Sequence, residues 1–215
     1  LTSLMVGRVK KLIAVEIDRP LCEILKHKFS SQGNFELVNK DILKYDLSGF
    51  KRLKVVANLP YYISTPILAH LLNNKKSISG IFITIQKELG LRLVAPPGAK
   101  DYGSFSCFIQ FHCRPKLLFY IKNTSFWPRP KVASCFVELK VMTKPSVKVK
   151  NENFFFLVIR TAFGQRRKLL INSLGSISPQ KKILKGLKKL KLSLNSRAEN
   201  LSLFDFSKLS LLLQS

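Results

Sequence analysis

The chain has 215 residues, and its 46% hydrophobic and 10% aromatic content excludes a disordered tail and suffices for one full domain with a small second one. It carries 37 Lys and Arg against 12 Asp and Glu, a net charge of +25, which favours nucleic acid or an anionic membrane as the partner. No apolar run approaches the roughly 18 residues of a spanning helix, and the N-terminal order, apolar and then basic, is wrong for a signal peptide.

The first three predicted strands each have a polar residue at or next to their C-terminal end. The first covers residues 11–17 and is followed by a helix with Pro20 near its first turn, and the second ends at Asp41. The third ends at Asn58 and is followed by a helix with Pro66 near its start. Strands that alternate with helices predict an α/β fold with a mostly parallel sheet.

A fourth predicted strand, ISGIFITIQKE, runs into Gln86, so that carboxylate or amide side chains stand at the C-terminal ends of all four strands. They are Glu16 and Asp18, Asp41, Asn58 and Gln86. Ligands bind outside these ends in open α/β sheets, although an acidic residue there can simply cap the following helix. We expect a site whose carboxylates suit the hydroxyl and amino groups of a nucleoside.

The middle of the chain contains two proline-rich stretches. Residues 94–106 form a Pro/Gly loop that we expect to be a mobile rim, and SFSCFIQFHC fits either a helix or a strand. Two late strands are predicted on either side of the rigid linker FWPRPK. Composition turns polar over residues 143–153, which predicts one domain over residues 1–145 and a second over residues 146–215.

The second predicted domain is helical and strongly basic, with 14 Lys and Arg against 3 Asp and Glu. FFFLVIRTAFGQRRKLLINSL has helical apolar spacing, and Ser178 and Pro179 suit the N-cap and N1 positions of the next helix, QKKILKGLKKLKL. Apolar side chains share one face of that helix and lysines lie mostly opposite. This arrangement suits either a solvated surface helix or one that contacts phosphates; a last amphipathic helix, LSLFDFSKLSLLL, follows.

The cysteines and histidines form no pattern typical of a metal site. Cys22, Cys107, Cys113 and Cys135 contain no CxxC pair, and the three histidines are scattered. We therefore expect buried, reduced thiols, no metal and a cytoplasmic location.

The segment ANLPYY offers the groups that methylation of an exocyclic base amine requires. Such an amine is a poor nucleophile, because its lone pair is delocalised into the ring, so an enzyme must accept hydrogen bonds from both of its protons. The Asn58 amide oxygen and the Leu59 carbonyl, aimed by the fixed φ of Pro60, can accept them. Tyr61 offers a ring on which a flipped-out base can stack, and Tyr62 is expected to pack.

Further segments complete a pattern that covers essentially the whole chain: AVEIDRPL, NKDILKYDL, ANLPYYISTPIL, QKELGLRLVAPPGAKDYGSFS, FWPRPKVASCFVEL, AFGQRRKLLINSL and RAENLSLFDFSKLS. In this order they resemble the rRNA adenine N6,N6-dimethyltransferase family. YGSFS and QRRK…NSL are more similar to its small-subunit enzymes than to its macrolide-resistance enzymes. The resemblance implies a Rossmann-like methyltransferase core and a small helical C-terminal domain that binds rRNA.

The resemblance also implies the cofactor, S-adenosylmethionine. Glu16 would bind its ribose hydroxyls, Asp41 with Ile42 would hold its adenine, and Asn58 is assigned to this site as well. The family has a glycine-rich loop after its first strand, whereas this chain begins at LTSLMVG, which resembles the helix after that loop. We therefore expect the first strand and its loop to be absent, and cofactor binding by these 215 residues to be weak.

For the target adenine, the resemblance implies a site formed by Asn58, Leu59 and Tyr61, with Phe126 stacking on the other side of the base. The implied function is dimethylation of the N6 amine of adenines in small-subunit rRNA during ribosome biogenesis, by a monomer.

The resemblance further implies that basic residues of the second predicted domain contact rRNA. They are Arg166, Arg167 and Lys168, with Lys185 and Lys188 on the lysine-rich helix. For the two arginines the alternative is pairing within the protein.

Two other functions are kept open. A chain without the glycine-rich loop could act only as an rRNA-binding factor in ribosome assembly. Alternatively, the target could be large-subunit rRNA, as for the resistance enzymes. A membrane-surface role, suggested only by the lysines of residues 181–192, is the weakest reading, and we expect no membrane partner.

Overall fold

The computed structural model describes residues 1–214, which divide into two compact units. The first comprises Leu1–Leu53 and Leu59–Ile78, and the second comprises Lys54–Asn58 and the chain from Ser79 onward. The predicted boundary near residue 145 lies inside the second unit and stays a prediction.

The first unit contains a parallel strand pair joined by a helix. After the short helix α1 (Thr2–Met5), strand β1 (Leu12–Glu16) pairs in parallel with β2 (Phe35–Asn39), and α2 (Arg19–Lys28) connects them. This is the strand–helix–strand arrangement predicted from the alternation of elements. The second strand ends two residues earlier than predicted, because Asp41 belongs to the turn that follows it.

Helix α2 begins where the sequence indicates. The Asp18 carboxylate accepts a hydrogen bond from the Leu21 amide at 3.0 Å, and Pro20 stands in the first turn, where no amide proton is needed. Its last turn holds Lys26, His27 and Lys28, next to the negative end of the helix dipole. Asp18 therefore has the capping role that was the alternative to a ligand site.

The second unit contains a four-stranded sheet in the order β3–β4–β6–β5. Its strands are β3 (Leu53–Asn58), β4 (Ile78–Gln86), β5 (Cys113–Ile121) and β6 (Ser134–Val141). Strand β6 runs antiparallel to both β4 and β5. The parallel arrangement expected for most of the sheet therefore does not extend to the late strands, because residues 122–133 join β5 to β6 without a crossover helix.

Helix α3 (Ser64–Asn73) follows the ANLPYY turn and buries one face. It buries Ile67, Leu68, Leu71 and Leu72, the spacing of a single helical stripe.

The ambiguous SFSCFIQFHC segment is helical. Helix α4 (Lys87–Val94) follows β4 directly, and α5 (Ser104–His112) covers the ambiguous segment. Gly90 lies so close to Cys135 that a Cβ there would collide with the sulfur, so this approach of α4 to β6 needs glycine.

The chain after the late strands forms only helices and turns within the described residues. These helices are α6 (Glu152–Gly164), α7 (Leu170–Ser173), α8 (Gln180–Lys189) and α9 (Leu203–Gln214). Residues 165–169 separate α6 from α7, so the long apolar pattern predicted there is divided in two. The helices share one apolar core with α5, which includes Phe111, Phe155, Ile159, Leu170, Leu174, Ile183, Leu187, Phe206 and Leu209.

The predicted cap of α8 is wrong. Pro179 occupies the N-cap position, and no side chain caps the helix. The Ser178 hydroxyl stands one residue too early; it is buried and forms no hydrogen bond with any described residue. The face assignment is confirmed, because Ile183 and Leu187 are buried while Lys185 is exposed.

Two further expectations concern the whole chain. All four cysteines are buried and unpaired, as predicted. Within residues 1–214, none of the helices combines the length and the apolar character needed to cross a membrane.

Candidate active site

Glu16 ends β1, and its carboxylate is held by the backbone that follows. Oε1 accepts hydrogen bonds from the amides of Ile17 at 2.9 Å and Asp18 at 3.0 Å. The Asn39 amide group donates to the carbonyl of Glu16 at 2.9 Å, which ties the ends of the two strands together. No described residue donates to Oε2, so this oxygen can accept from a ligand hydroxyl.

Asp41 lies at the same sheet edge as Glu16, because the parallel register places Glu16 opposite Asn39, two residues before Asp41. One Asp41 oxygen accepts from the Leu43 amide at 2.9 Å and caps the turn Ile42–Lys44. This oxygen therefore caps the turn, which was the alternative to binding a ligand. Ile42, the first residue of that turn, is half-buried.

Asn58 is the exposed last residue of β3, and its side chain forms no hydrogen bond with the described residues. The next side chain, Leu59, is buried, whereas its carbonyl accepts no hydrogen bond within residues 1–214. Pro60 then holds the turn, because its carbonyl accepts from the Ile63 amide at 3.2 Å and from the Ser64 hydroxyl at 2.9 Å. Two neighbouring acceptors, the Asn58 amide oxygen and the Leu59 carbonyl, are therefore left for a ligand.

The two tyrosines after Pro60 differ in exposure. Tyr61 is half-buried at the start of the turn Tyr61–Ile63. Tyr62 is 85% exposed, so the expectation that it packs is wrong. Consecutive side chains in this short turn point in different directions, and only one of them reaches the protein.

Phe126 lies in the 122–133 connection between β5 and β6. It is half-buried, and its backbone is extended, with φ −122° and ψ 149°. The turn Asn123–Ser125 precedes it, and the Phe126 amide donates to the Asn123 carbonyl at 3.4 Å.

The 95–103 connection between α4 and α5 is held by several hydrogen bonds, and its predicted role as a mobile rim stays a prediction. Tyr102 is fully buried and its hydroxyl donates to the Leu201 carbonyl at 3.1 Å. The Gly98 amide donates to the Glu199 carbonyl at 2.7 Å, in a turn where Gly98 has φ +85°. The Cys107 thiol donates to the Tyr102 hydroxyl, and burial raises the pKa of this thiol to about 12.

Arg166 belongs to the same network. Its Nε lies 3.0 Å from Oε2 of Glu199, and its guanidinium also donates to the Lys100 carbonyl. The alternative of pairing within the protein is therefore realised for Arg166. Arg167 and Lys168 are exposed and have no acidic partner among residues 1–214.

The basic helix α8 presents its lysines to solvent. Lys185 and Lys188 are exposed, and neither forms an ion pair with a described residue. Residues 153–198 contain no Asp or Glu, so the positive charge of this surface is not neutralised locally.

A cleft of about 680 Å³ in the first unit extends to Asn39, whose side chain donates to the Glu16 carbonyl. It is lined by residues of α2 and β2, including Cys22, Lys26 and Leu37, but by neither Glu16 nor Asp41. Among residues 1–214, no group of His, Cys, Asp and Glu side chains is arranged to hold a metal ion.

Sequence reasoning assigned no role to two exposed aromatic residues, Trp127 and Tyr120. Trp127 is 98% exposed, and Tyr120 at the end of β5 is 56% exposed with Lys87 Nζ 5.1 Å from its ring centroid. The signal available was the aromatic pair in FWPRPK among basic residues, of which only Phe126 was assigned a role.

Known proteins match this chain over almost its whole length. The family model for ribosomal RNA adenine dimethylases matches residues 1–215. Ribosomal RNA small subunit methyltransferase A of Alkaliphilus metalliredigens is 38% identical over 98% of this chain and 77% of its own length. The protein of the same name from Moorella thermoacetica is 40% identical over 100% of this chain and 79% of its own length.

Solved structures share the fold. A dimethyladenosine transferase from Plasmodium falciparum superposes with a TM-score of 0.81 at 25% identity, over 97% of this chain and 83% of that chain. The 23S rRNA methyltransferase ErmE superposes with a TM-score of 0.78 at 19% identity, over 100% of this chain and 86% of that chain. The predicted Rossmann-like methyltransferase fold is confirmed, and the chain belongs to the ribosomal RNA adenine dimethylase family.

Proposed function

We propose that this protein dimethylates the N6 amine of adenines in small-subunit rRNA, with S-adenosylmethionine as the methyl donor. The observation that carries the proposal is the pair of acceptors at the end of β3. Neither the Asn58 amide oxygen nor the Leu59 carbonyl receives a hydrogen bond from a described residue. The names of the two bacterial relatives support the choice of the small subunit.

The two acceptors act on the target amine. Asn58 and Leu59 each accept a hydrogen bond from one N6 proton, which concentrates the lone pair on nitrogen and favours a pyramidal geometry. This stabilises charge that develops in the transition state, where such contacts contribute most. Neither residue has to act as a base, because the methylated amine is acidic enough to lose its proton to water. S-adenosylmethionine supplies the methyl group when bound.

The ends of β1 and β2 fit the adenosine part of that cofactor. Glu16 keeps one oxygen, Oε2, for the ribose hydroxyls, while its other oxygen is fixed by two backbone amides. Asp41 caps its turn with one oxygen and leaves the second for the adenine amine, with Ile42 beside it as an apolar contact.

Tyr61 and Phe126 are proposed to stack on the target adenine. Both are half-buried, so each ring keeps one part fixed in the protein and exposes another to a base. Such a contact contributes roughly 1–3 kcal/mol per base.

Contacts to rRNA phosphates are proposed for Arg167, Lys168, Lys185 and Lys188, which are exposed and lack acidic partners among the described residues. Arg166 is proposed to support this surface indirectly, since its guanidinium is engaged by Glu199 and by the Lys100 carbonyl. We further propose a monomer that acts in the cytoplasm, where buried reduced thiols are usual.

The test is methyl transfer to unmodified small-subunit rRNA particles by the full chain and by Asn58→Ala. We expect the variant to lose about 100-fold or more in rate, as is typical when one group that stabilises the transition state is removed. RNA affinity should change less than about twofold, since an amide outside the phosphate contacts is removed. Asn195→Ala, another exposed amide without a side-chain partner among residues 1–214, is the matched control and should leave the rate unchanged.

Three outcomes would overturn the proposal. Retained turnover by Asn58→Ala would remove the assigned role of the amide. Absence of S-adenosylmethionine binding by the full chain in calorimetry, together with intact RNA binding, would indicate an assembly factor without activity. Methylated adenines found only in large-subunit rRNA would move the target to the other subunit.

A further inference from the structure

The 122–133 connection exposes the chain's single tryptophan almost completely. Trp127 is 98% exposed, whereas its neighbour Phe126 is half-buried. Because the backbone at Phe126 is extended, consecutive side chains point to opposite sides. The Trp127 ring therefore points away from the surroundings of Phe126. Because it is almost fully exposed, it contributes little to the stability of the fold.

A second exposed aromatic residue lies at the end of β5, the strand that leads into this connection. The connection that carries Trp127 starts and ends at one end of the sheet. Ser134, the first residue of β6, is paired there with the last residues of β5 and β4, Ile121 and Gln86. At that end Tyr120 is 56% exposed.

Lys87 stands beside Tyr120. Its Nζ lies 5.1 Å from the centroid of the Tyr120 ring, within the range of a cation–π contact. Its backbone amide donates to the Ala133 carbonyl at 3.0 Å, which fixes the start of α4 against the end of the connection. The lysine is thus positioned next to an exposed ring.

Most charged residues near these rings in sequence are basic. Residues 102–137 contain no Asp or Glu, while the connection itself carries Lys122, Arg129 and Lys131. Arg129 donates to the Asn123 side chain at 3.1 Å, which holds it against its own turn. Glu88, the acidic residue nearest in sequence to Lys87, is paired with Arg92 at 2.9 Å.

We propose that Trp127, Tyr120 and Lys87 form a stacking platform for unpaired RNA bases next to the target adenine. The rings supply π-faces on which any base can stack, and the cations attract the phosphates between the bases. The positive charge favours RNA over a protein partner, and stacking requires bases that are splayed out of a duplex. The inference rests on the proposed function, because Phe126, the residue before Trp127, is assigned to the target base itself.

The single tryptophan provides a direct test. With excitation absorbed only by tryptophan, the emission of the full chain reports Trp127 alone. We expect a short single-stranded oligoadenylate to quench it in a saturable way, and a duplex RNA of the same length to bind through the basic helices with little quenching. Emission that is unchanged at saturating oligoadenylate, with binding verified by the anisotropy of labelled RNA, would overturn the inference.

Variants separate stacking from charge. Trp127→Ala and Tyr120→Ala should each weaken oligoadenylate binding by roughly 5- to 150-fold, the range for loss of one stacked aromatic residue. Trp127→Phe should retain most of the affinity, since a π-face remains. The matched control is Phe204→Ala, which removes another exposed ring with a lysine over it, Lys208 at 5.2 Å, and should not change the affinity.

Failure of this inference can be told apart from failure of the proposed function. If Asn58→Ala abolishes methylation but Trp127→Ala changes neither the affinity nor the KM for rRNA, only the platform is overturned. If the wild-type chain shows no methyl transfer, the quenching experiment still reports the platform by itself. Emission that changes only when small-subunit ribosomal proteins are added would identify a protein contact and would also overturn it.

Discussion

Two proline-rich connections of the second unit differ in how they are held. The 95–103 connection contains Pro96 and Pro97 and is bound by Tyr102, Gly98 and Arg166 to residues near α9. The 122–133 connection contains Pro128 and Pro130, and it leaves its tryptophan in solvent.

The partners available to each connection account for this difference. The first faces Glu199, whose side chain pairs with Arg166 and whose carbonyl accepts from Gly98. The second lies in a stretch without acidic residues, so its lysines and arginine have no carboxylate nearby in sequence with which to pair. The two proline-rich connections therefore differ: one is bound to distant residues, and the other leaves an aromatic ring exposed.

The largest effect on stability is expected when the Tyr102 side chain, which holds the 95–103 connection, is removed. Tyr102→Ala should lower the free energy of unfolding by about 3–5 kcal/mol, since a fully buried ring is replaced by a cavity. Tyr102→Phe should cost about 1–3 kcal/mol, because the Leu201 carbonyl loses its donor. Urea unfolding measures both. Tyr62→Ala, at an exposed tyrosine, is the control, and an equal loss there would contradict the assignment.

The Cys107 thiol makes the same connection sensitive to alkaline pH. Burial raises its pKa from 9.0 to about 12, so the folded state keeps a proton that the unfolded chain loses. The free energy of unfolding should therefore fall as the pH rises from 9.0 towards about 12, by at most about 1.4 kcal/mol per pH unit. Unfolding curves below and above this onset should show a smaller fall for Cys107→Ala. An identical fall in both proteins would contradict the prediction.

Arg166 and Arg167 are neighbours with different expected roles: Arg166 stabilises the fold, and Arg167 is proposed to bind RNA. Arg166→Gln should lower the free energy of unfolding by about 1 kcal/mol, since a partly exposed ion pair and one hydrogen bond are lost. Arg167→Gln should leave stability unchanged and weaken RNA binding more than Arg166→Gln does. Unfolding and RNA titrations on both variants measure this, and the opposite order of the two effects would contradict it.

The smallest effect on stability is expected in the second connection. Trp127→Ser should change the free energy of unfolding by less than about 0.5 kcal/mol, because a ring that is 98% exposed contributes little to folding. A thermal or urea unfolding curve checks this. A clear loss of stability would mean that the ring packs in solution and is not a free surface.

Local patterns were sufficient to predict most elements. The strand ends at Glu16 and Asn58, the helix start at Pro20 and the amphipathic face of α8 follow from period, capping and turn residues within a few positions of each other. The sequence ANLPYY likewise contains both proposed acceptors side by side, so their adjacency needs no tertiary contact.

Predictions failed or stayed open where the partner is distant in sequence. Ser178 looked like a helix cap from its neighbours alone, yet its hydroxyl is buried, because the position of α8 in the core decides the direction of the side chain. The antiparallel return of β6 could not be read from strand patterns, since alternation does not give strand direction.

The sequence by itself determined the family and most of the elements, and it contains the two proposed acceptors, Asn58 and Leu59, side by side, because these features depend on residue types at short spacing. Only the tertiary structure decided which charges and rings are engaged. Arg166 meets Glu199 across 33 positions and Tyr102 meets Leu201 across 99, whereas none of residues 1–214 buries the Trp127 ring. Burial and pairing depend on which residues the fold brings together, and a local sequence pattern does not specify which distant residue becomes the partner.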